Sequence, residues 1–568
     1  MRSYTLADST SGGTVWHHLL TTPWLPVLLT ALLCAGGSWW GYTEIWNADQ
    51  MAFKDLFRDG AWPFSPPAFD KPPLLTYINV AFSVAPRVAL VGLLELLSGN
   101  EYGESFDFIS VWLAKLLQAL FACGAVWLLW RIVAECVTRP IALVVALLLA
   151  SSAGFIVQAH LVTTDLPVVF FMLLSFRASQ KIWTDPRPAT YVIAGLLIGL
   201  TGAMKYNGVV IGIAMLVFHL LRPGAPDLLD RFRDRRVLAG LVAVPVGLLL
   251  GNPFAAIEFQ RFSTDLWYLF TTSPQYIGAS GETRYDPSII DTLSRDLIGW
   301  PLLLAVAIGI AAAAVVLLRE KRSVRTATFI AAAGTAAFYC AYFESRTNVQ
   351  VRWLLMIVPL LLIAAVPGWE LIAQARARAA AVLAAGLIAY GAICCIHVDL
   401  RFASDPRLAA VQWVRDHVPE GASIESSPYV PRWSRHPGVG TLFEAMPPVS
   451  GRSRLFQDVF AENQAILAEV RIREPDDDMG WYSLSALRER APDYIALSSI
   501  YFERFLRGKL VSYYPDMRQY FATLLAEDAG YEIVFDRACC KGRLYLYPRD
   551  ILFLDNRIII LKRKFEEP

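Results

Sequence analysis

The chain has 568 residues, 55% of them hydrophobic and 18% charged, and its mean hydropathy is +0.43. A soluble chain of this length carries more charge and breaks its apolar runs more often, so the composition points to a membrane protein. A net charge of +1 gives no global basic field, which argues against nucleic acid as a partner.

Near the N-terminus only Arg2 is firmly positive. No small-x-small site closes the first apolar run, so that run is expected to be a retained span rather than a cleaved signal. A bilayer core needs roughly 20 apolar residues per helix. By that standard the sequence predicts about 11 transmembrane helices, at 22–40, 108–130, 141–158, 165–180, 190–204, 207–221, 237–253, 299–318, 326–343, 353–367 and 379–397. The fifth and sixth are short and abut at Lys205-Tyr206-Asn207-Gly208, which suggests two helices meeting at one surface. Two connections are long. Residues 41–106 hold an apolar run interrupted by Pro86, Arg87 and Glu95, and residues 254–298 carry Trp267 and Tyr268. Both are expected to contain helices lying along the interface.

Lys and Arg concentrate in alternate short loops, among them Arg231, Arg233, Arg235 and Arg236, and Arg319, Lys321, Arg322 and Arg325. The positive-inside rule then places the N-terminus in the cytoplasm and, with an odd number of spans, the C-terminal region outside. From about residue 400 long apolar runs stop. Short β-rich runs such as Tyr494–Leu497 and Arg557–Leu561 alternate with helical patterns such as Pro406–His417. The division expected is a membrane domain over 1–400 and an extracytoplasmic α/β domain over 401–568. The eight cysteines form no CxxC pair and read as buried thiols, with a strained vicinal disulfide at Cys539-Cys540 as the alternative.

With this topology unusual polar residues converge on the outer face: Asp49, Asp70, Lys71, His160, Asp165, Lys205, Arg346 and Arg352. Ionisable groups at membrane depth are costly, so they pair or mark a site. Carboxylates serve as a general base or hold a metal, while Lys and Arg hold phosphate. Each has a plainer explanation too. Asp49 and Asp165 could cap helices, Lys205 and Arg352 could be snorkelling anchors, and His160 could be a satisfied interfacial histidine.

Four stretches add a resemblance: "TEIWNADQMAFKDLFRDGAWPF", "FDKPPLLTYI", "HLVTTDLPVVFFMLLSF" and "GLLIGLTGAMKYNGVVIG", with "VQVRWLLMIVPLLL" beside them. Here residues 20–400 resemble the GT-C class of membrane glycosyltransferases. The likeness is to the lipid-carrier-dependent branch, which includes aminoarabinose transferases, protein O-mannosyltransferases and rhizobial galacturonosyltransferases. The resemblance implies a GT-C fold and transfer of a sugar from a polyprenyl-phosphate carrier. The acceptor would be a hydroxyl of a lipid, glycan or protein, at the outer face of a bacterial inner membrane. It implies Asp49 and Asp165 as catalytic carboxylates, and Asp70, Lys71, Lys205 and Arg352 as substrate-binding residues near the donor phosphate, to which the grouping on the outer face adds Arg346. The family's histidine in the later outer loop has no counterpart, since residues 254–298 contain no His. The resemblance therefore implies no certain cofactor and leaves a divalent cation open. A transporter or flippase of lipid-linked sugars is the alternative, but such proteins show repeated halves and midplane charges, and no repeat is seen.

Overall fold

The computed structural model describes residues 22–41, 64–66, 68–69, 71–99, 107–223, 231, 233–271, 288–320, 322–345, 350–436, 438–445, 481–506, 515–539, 546–549, 551, 554 and 556–564. The chain is a multi-pass helical membrane protein with a C-terminal lobe built on a sheet. Six of its described helices are long and apolar enough to cross a membrane, or seven if a bent pair counts as one span.

The first helix, α1, covers Trp24–Ala35. Next, α2 runs over Leu74–Ser98, with a π turn at Val80–Val84. It satisfies the length and apolarity of a span and is mostly uncovered by protein. The sequence expectation for this stretch is a helix along the interface, and its length and composition alone do not decide between that and a span. Pro86 sits in the first turn of the segment after the π turn, where proline is tolerated, so the helix continues unbroken. Then come α3 (Asp107–Ala134), and α4 (Arg139–Ala150) with α5 (Ala153–Ala159), bent by 61° at Ser151-Ser152. They are followed by α6 (Asp165–Lys181), α7 (Pro188–Met204), α8 (Tyr206–Leu221, opening as a 3-10 helix) and α9 (Arg235–Gly251). The set continues with α10 (Phe259–Thr271), α11 (Gly299–Arg319), α12 (Val324–Glu344), α13 (Val351–Ala375, its first turns 3-10) and α14 (Ala377–Ala403).

In lipid, apolar surface does not by itself drive one helix onto another, so close association relies on small residues that let backbones meet. The α7–α9 contact is built this way. A Cβ placed on Gly195 would lie 2.0 Å from the Gly240 carbonyl oxygen, and one on Gly199 2.0 Å from the Val244 carbonyl oxygen. Gly309 of α11 and Gly368 of α13 make a second such seam, where a Cβ on Gly368 would lie 2.1 Å from the Gly309 carbonyl oxygen.

After α14 the helix α15 (Pro406–His417) leads into a five-stranded sheet. Its strands are β1 (Ser423–Ser426), β2 (Phe443–Ala445), β3 (Tyr494–Ser498), β4 (Tyr531–Ala538) and β5 (Arg557–Arg563), in the order β2-β1-β3-β5-β4. β1 is parallel to β2 and β3, while β5 is antiparallel to β3 and β4. Every residue of β3 is buried, as expected for a central strand covered on both faces. The lobe is tied to the helices. Tyr547, Ile551 and Leu554 join the apolar core of the helical bundle, and Arg401 of α14 donates to the Pro548 carbonyl at 2.7 Å. Cys394, Cys395 and Cys539 are free thiols, and Cys540 lies outside the described residues.

Candidate active site

The α7–α8 break sets the site. Lys205 adopts an extended conformation (φ −159°, ψ 124°), which ends α7 before Tyr206 opens the 3-10 turn of α8. The Lys205 ammonium then reaches Asp165 Oδ1 at 2.5 Å. Arg352, in the first turn of α13, brings its Nε to 3.6 Å from Asp165 Oδ2. Trp353, beside it in sequence, places its ring 5.7 Å from the Lys205 ammonium. Three residues far apart in sequence thus form one cluster of a buried carboxylate and two cations.

Asp165 is 3% exposed and opens α6, where the partial positive charge of a helix N-terminus favours a carboxylate. It is the first helical residue rather than the cap, which is Thr164, and no side-chain cap bond forms there. The helix-cap explanation of this aspartate therefore falls, and the ion pairs account for it. The preceding turn is steadied by Gln118 of α3, whose amide donates to the Thr163 carbonyl at 3.1 Å.

The acidic-Lys-Pro-Pro stretch is fastened to the same place. Phe69 is fully buried, and its carbonyl accepts from the Tyr206 hydroxyl at 2.8 Å. Its N–H donates to Asp265 of α10 at 2.7 Å, and its ring packs edge-on against Phe262 at 5.6 Å. Arg261 stands 5.2 Å from that ring and donates to the Pro66 carbonyl at 2.8 Å. Helix α10 therefore staples the approach to α2 onto the residue that follows Lys205. Lys71 lies in this approach and is exposed. Asp49, Asp70 and Arg346 lie outside the described residues.

His160 belongs to a different network. Its Nδ1 meets the Ile156 carbonyl at 2.9 Å, its Nε2 meets the Gly36 carbonyl, and its ring stacks on Phe402 at 4.6 Å. Asp399 stands 3.4 Å from Nε2. Nearby, the Lys115 ammonium donates to the Trp40 carbonyl, and the Trp40 indole donates to Asp405 at 2.6 Å. This network binds the end of α1 to α3, α14 and α15. Among the described residues no group of three or more His, Cys, Asp or Glu side chains could hold a metal ion.

Sequence reasoning missed Tyr206, Asp265, Gln118 and Trp353 as members of the site. Tyr206 and Trp353 adjoin Lys205 and Arg352, a signal that could have been used. Nothing in the spacing links Asp265 to Phe69 across nearly 200 residues.

The family described as dolichyl-phosphate-mannose-protein mannosyltransferase matches residues 106–248, which include Asp165, Lys205 and the helices that carry them. No curated protein matches the chain. Among solved structures, the chain is similar to ArnT from Cupriavidus metallidurans bound to undecaprenyl phosphate. That match has 15% identity and a TM-score of 0.48, covering 96% of this chain and 98% of that one. It is also similar to the Archaeoglobus fulgidus oligosaccharyltransferase tethered with an acceptor peptide, at 13% identity and a TM-score of 0.43, covering 88% and 72%. At TM-scores below 0.5 neither likeness bears on the assignment. The family match takes in α6 and the α7–α8 break, which carry Asp165 and Lys205, while Arg352 of α13 lies beyond it.

Proposed function

We propose that this chain moves a sugar from a polyprenyl-phosphate carrier to an acceptor hydroxyl of a lipid, glycan or protein. The observation that carries this reading is the cluster of Asp165, Lys205 and Arg352, where two cations meet one buried carboxylate at helix ends. Such a group carries a surplus of positive charge suited to a phosphate leaving group. In the reaction the bond between sugar C1 and the phosphate oxygen breaks, and a bond from C1 to the acceptor oxygen forms. The lipid phosphate departs, and the acceptor's proton passes to a carboxylate. Lys205 and Arg352, with Lys71 and Arg346, would offset the charge growing on the phosphate, a term that often dominates catalysis. A carboxylate already shared by two cations is a poor base. Asp165 therefore suits a positioning role, holding Lys205 and Arg352 in place, and Asp49 remains the candidate base with Asp70 beside the donor.

In this reading the site faces the outside of a bacterial inner membrane, with the N-terminus cytoplasmic. The membrane domain spans 1–400, and the lobe of 401–568 lies on the outer side. The resemblance leaves a divalent cation open as cofactor. The test is to incubate the purified chain with a panel of undecaprenyl-phosphate sugars and acceptors and to follow release of lipid phosphate. Release is expected, and Asp49→Asn is expected to abolish it at unchanged protein level. Movement of the intact lipid-linked sugar across vesicles without release would favour a flippase instead.

A further inference from the structure

Asn252 caps the C-terminal end of α9 and is fully buried. Its backbone is used: the N–H donates to the Leu248 carbonyl at 2.9 Å, and the carbonyl accepts from Ala255 at 3.1 Å. Its side chain is not. Among the described residues neither Oδ1 nor Nδ2 meets a hydrogen-bond partner. A buried amide left unpaired is destabilising, so folding alone gives no reason for an asparagine here.

Its neighbours fix where it lies. Gly251 is pressed against Ala203 and Leu74, where a Cβ would come to 2.5 Å of Ala203 Cβ and 3.2 Å of Leu74 Cδ2. On the other side Phe254 and Ala255 pack with Phe69 and Tyr206. Asn252 thus follows a glycine pressed on Ala203 and Leu74 and precedes residues packed on Phe69 and Tyr206, so its neighbours meet residues that flank Lys205 in sequence.

We propose that Asn252 recognises the sugar of the carrier-linked donor, an assignment that rests on the glycosyl-transfer reading above. A carboxamide offers two N–H donors and one acceptor. A phosphate only accepts, so it would engage Nδ2 and leave Oδ1 orphaned. A sugar hydroxyl both donates and accepts, and a pair of hydroxyls satisfies both ends of the amide. The cations at Asp165 take the phosphate, and the neutral amide takes the hydroxyl-bearing ring.

The experiment measures binding of undecaprenyl phosphate, and of a panel of undecaprenyl-phosphate hexoses and pentoses, to the purified full chain and to Asn252→Ala and Asn252→Leu. The wild type is expected to bind at least one glycosylated lipid about tenfold or more tightly than the bare lipid phosphate, as polar sites discriminate by leaving groups unpaired. Both variants are expected to lose that preference while holding bare-lipid affinity within about twofold. Asn252→Leu should also keep or raise the thermal midpoint, because replacing an unpaired buried amide by an apolar group of similar size is neutral or stabilising. Retention of the preference in the variants would overturn the assignment and leave a buried water as the amide's partner. Equal loss of both lipids with a lowered midpoint would overturn it too, making the residue structural. A wild type that binds the lipid phosphate but prefers no glycosylated form also overturns it. A wild type that binds neither lipid overturns the donor reading itself.

Discussion

Replacing Lys205 with Met removes the nearer of two cations at Asp165, whose ammonium lies 2.5 Å from Oδ1. At an effective dielectric of about 20, that contact is worth roughly 7 kcal/mol of gross attraction. The Arg352 contact at 3.6 Å is worth roughly 5 kcal/mol on the same footing. Desolvation offsets most of both, but it is not recovered when one partner is deleted, because Asp165 stays buried. A buried pair broken on one side costs about 3–5 kcal/mol. With Arg352 still present to share the Asp165 charge, Lys205→Met should cost somewhat less than that range, about 2–3 kcal/mol. The double variant Asp165→Asn/Lys205→Met removes the stranded carboxylate, so it should recover part of that loss, with a coupling of about 1–3 kcal/mol. The assay is a double-mutant cycle on the denaturation midpoint in detergent, run beside lipid-phosphate release. Release should fall by about a hundredfold or more in both, since the charge on the leaving group loses a stabilising cation. Strict additivity of the two midpoint shifts would refute the pairing, and unchanged release would refute the assignment of Lys205 to the phosphate.

Tyr206→Phe deletes the hydroxyl that donates to the Phe69 carbonyl and should cost about 1 kcal/mol of local order. Its mark would be a raised KM for donor with protein level intact, and a KM equal to wild type would count against a role for this tether. Gly199→Val drives a side chain into the Val244 carbonyl, which a Cβ alone would approach to 2.0 Å, so folded protein should be lost on detergent gel filtration. Gly212→Ala, whose Cβ would meet Ile198 at 3.7 Å, should elute like wild type. In the C-terminal lobe the Ser423 N–H, then the Ser423 hydroxyl and Arg563, hold the Asp493 carboxyl below its ordinary range. A depressed carboxylate contributes stability above its unfolded pKa, and that contribution is lost as pH falls through the folded one. Asp493→Asn should therefore be less stable than wild type at neutral pH and converge with it in acid, read by tryptophan fluorescence; a gap that stays constant into acid would refute the effect.

Most spans were legible because apolar length is local. The break at Lys205 was legible too, since two short apolar runs meeting at a polar quartet cannot continue as one helix. The continuity of α2 was less legible, because Pro86 looks like an interruption until its place in a first turn is known. The pairing of Asp165 with Lys205 and Arg352 needs the tertiary fold, as do the tether from Tyr206 to Phe69 and the bracket around Asn252. These contacts bridge helices whose neighbours depend on glycine seams, and a seam leaves no periodic mark distinguishing it from ordinary small residues. Of the charged residues expected on one face, Asp165, Lys205 and Arg352 come together, while Asp49, Asp70 and Arg346 fall outside the described residues.

The bond from Arg401 to the Pro548 carbonyl joins positions 147 residues apart. During synthesis α14 emerges well before Pro548 and before Tyr547, Ile551 and Leu554, which join the helical core. Until then a buried guanidinium and an apolar seat between helices stand open at the edge of the bundle. That seat is completed only when the lobe folds back, and a chain interrupted between residues 420 and 540 would lack it.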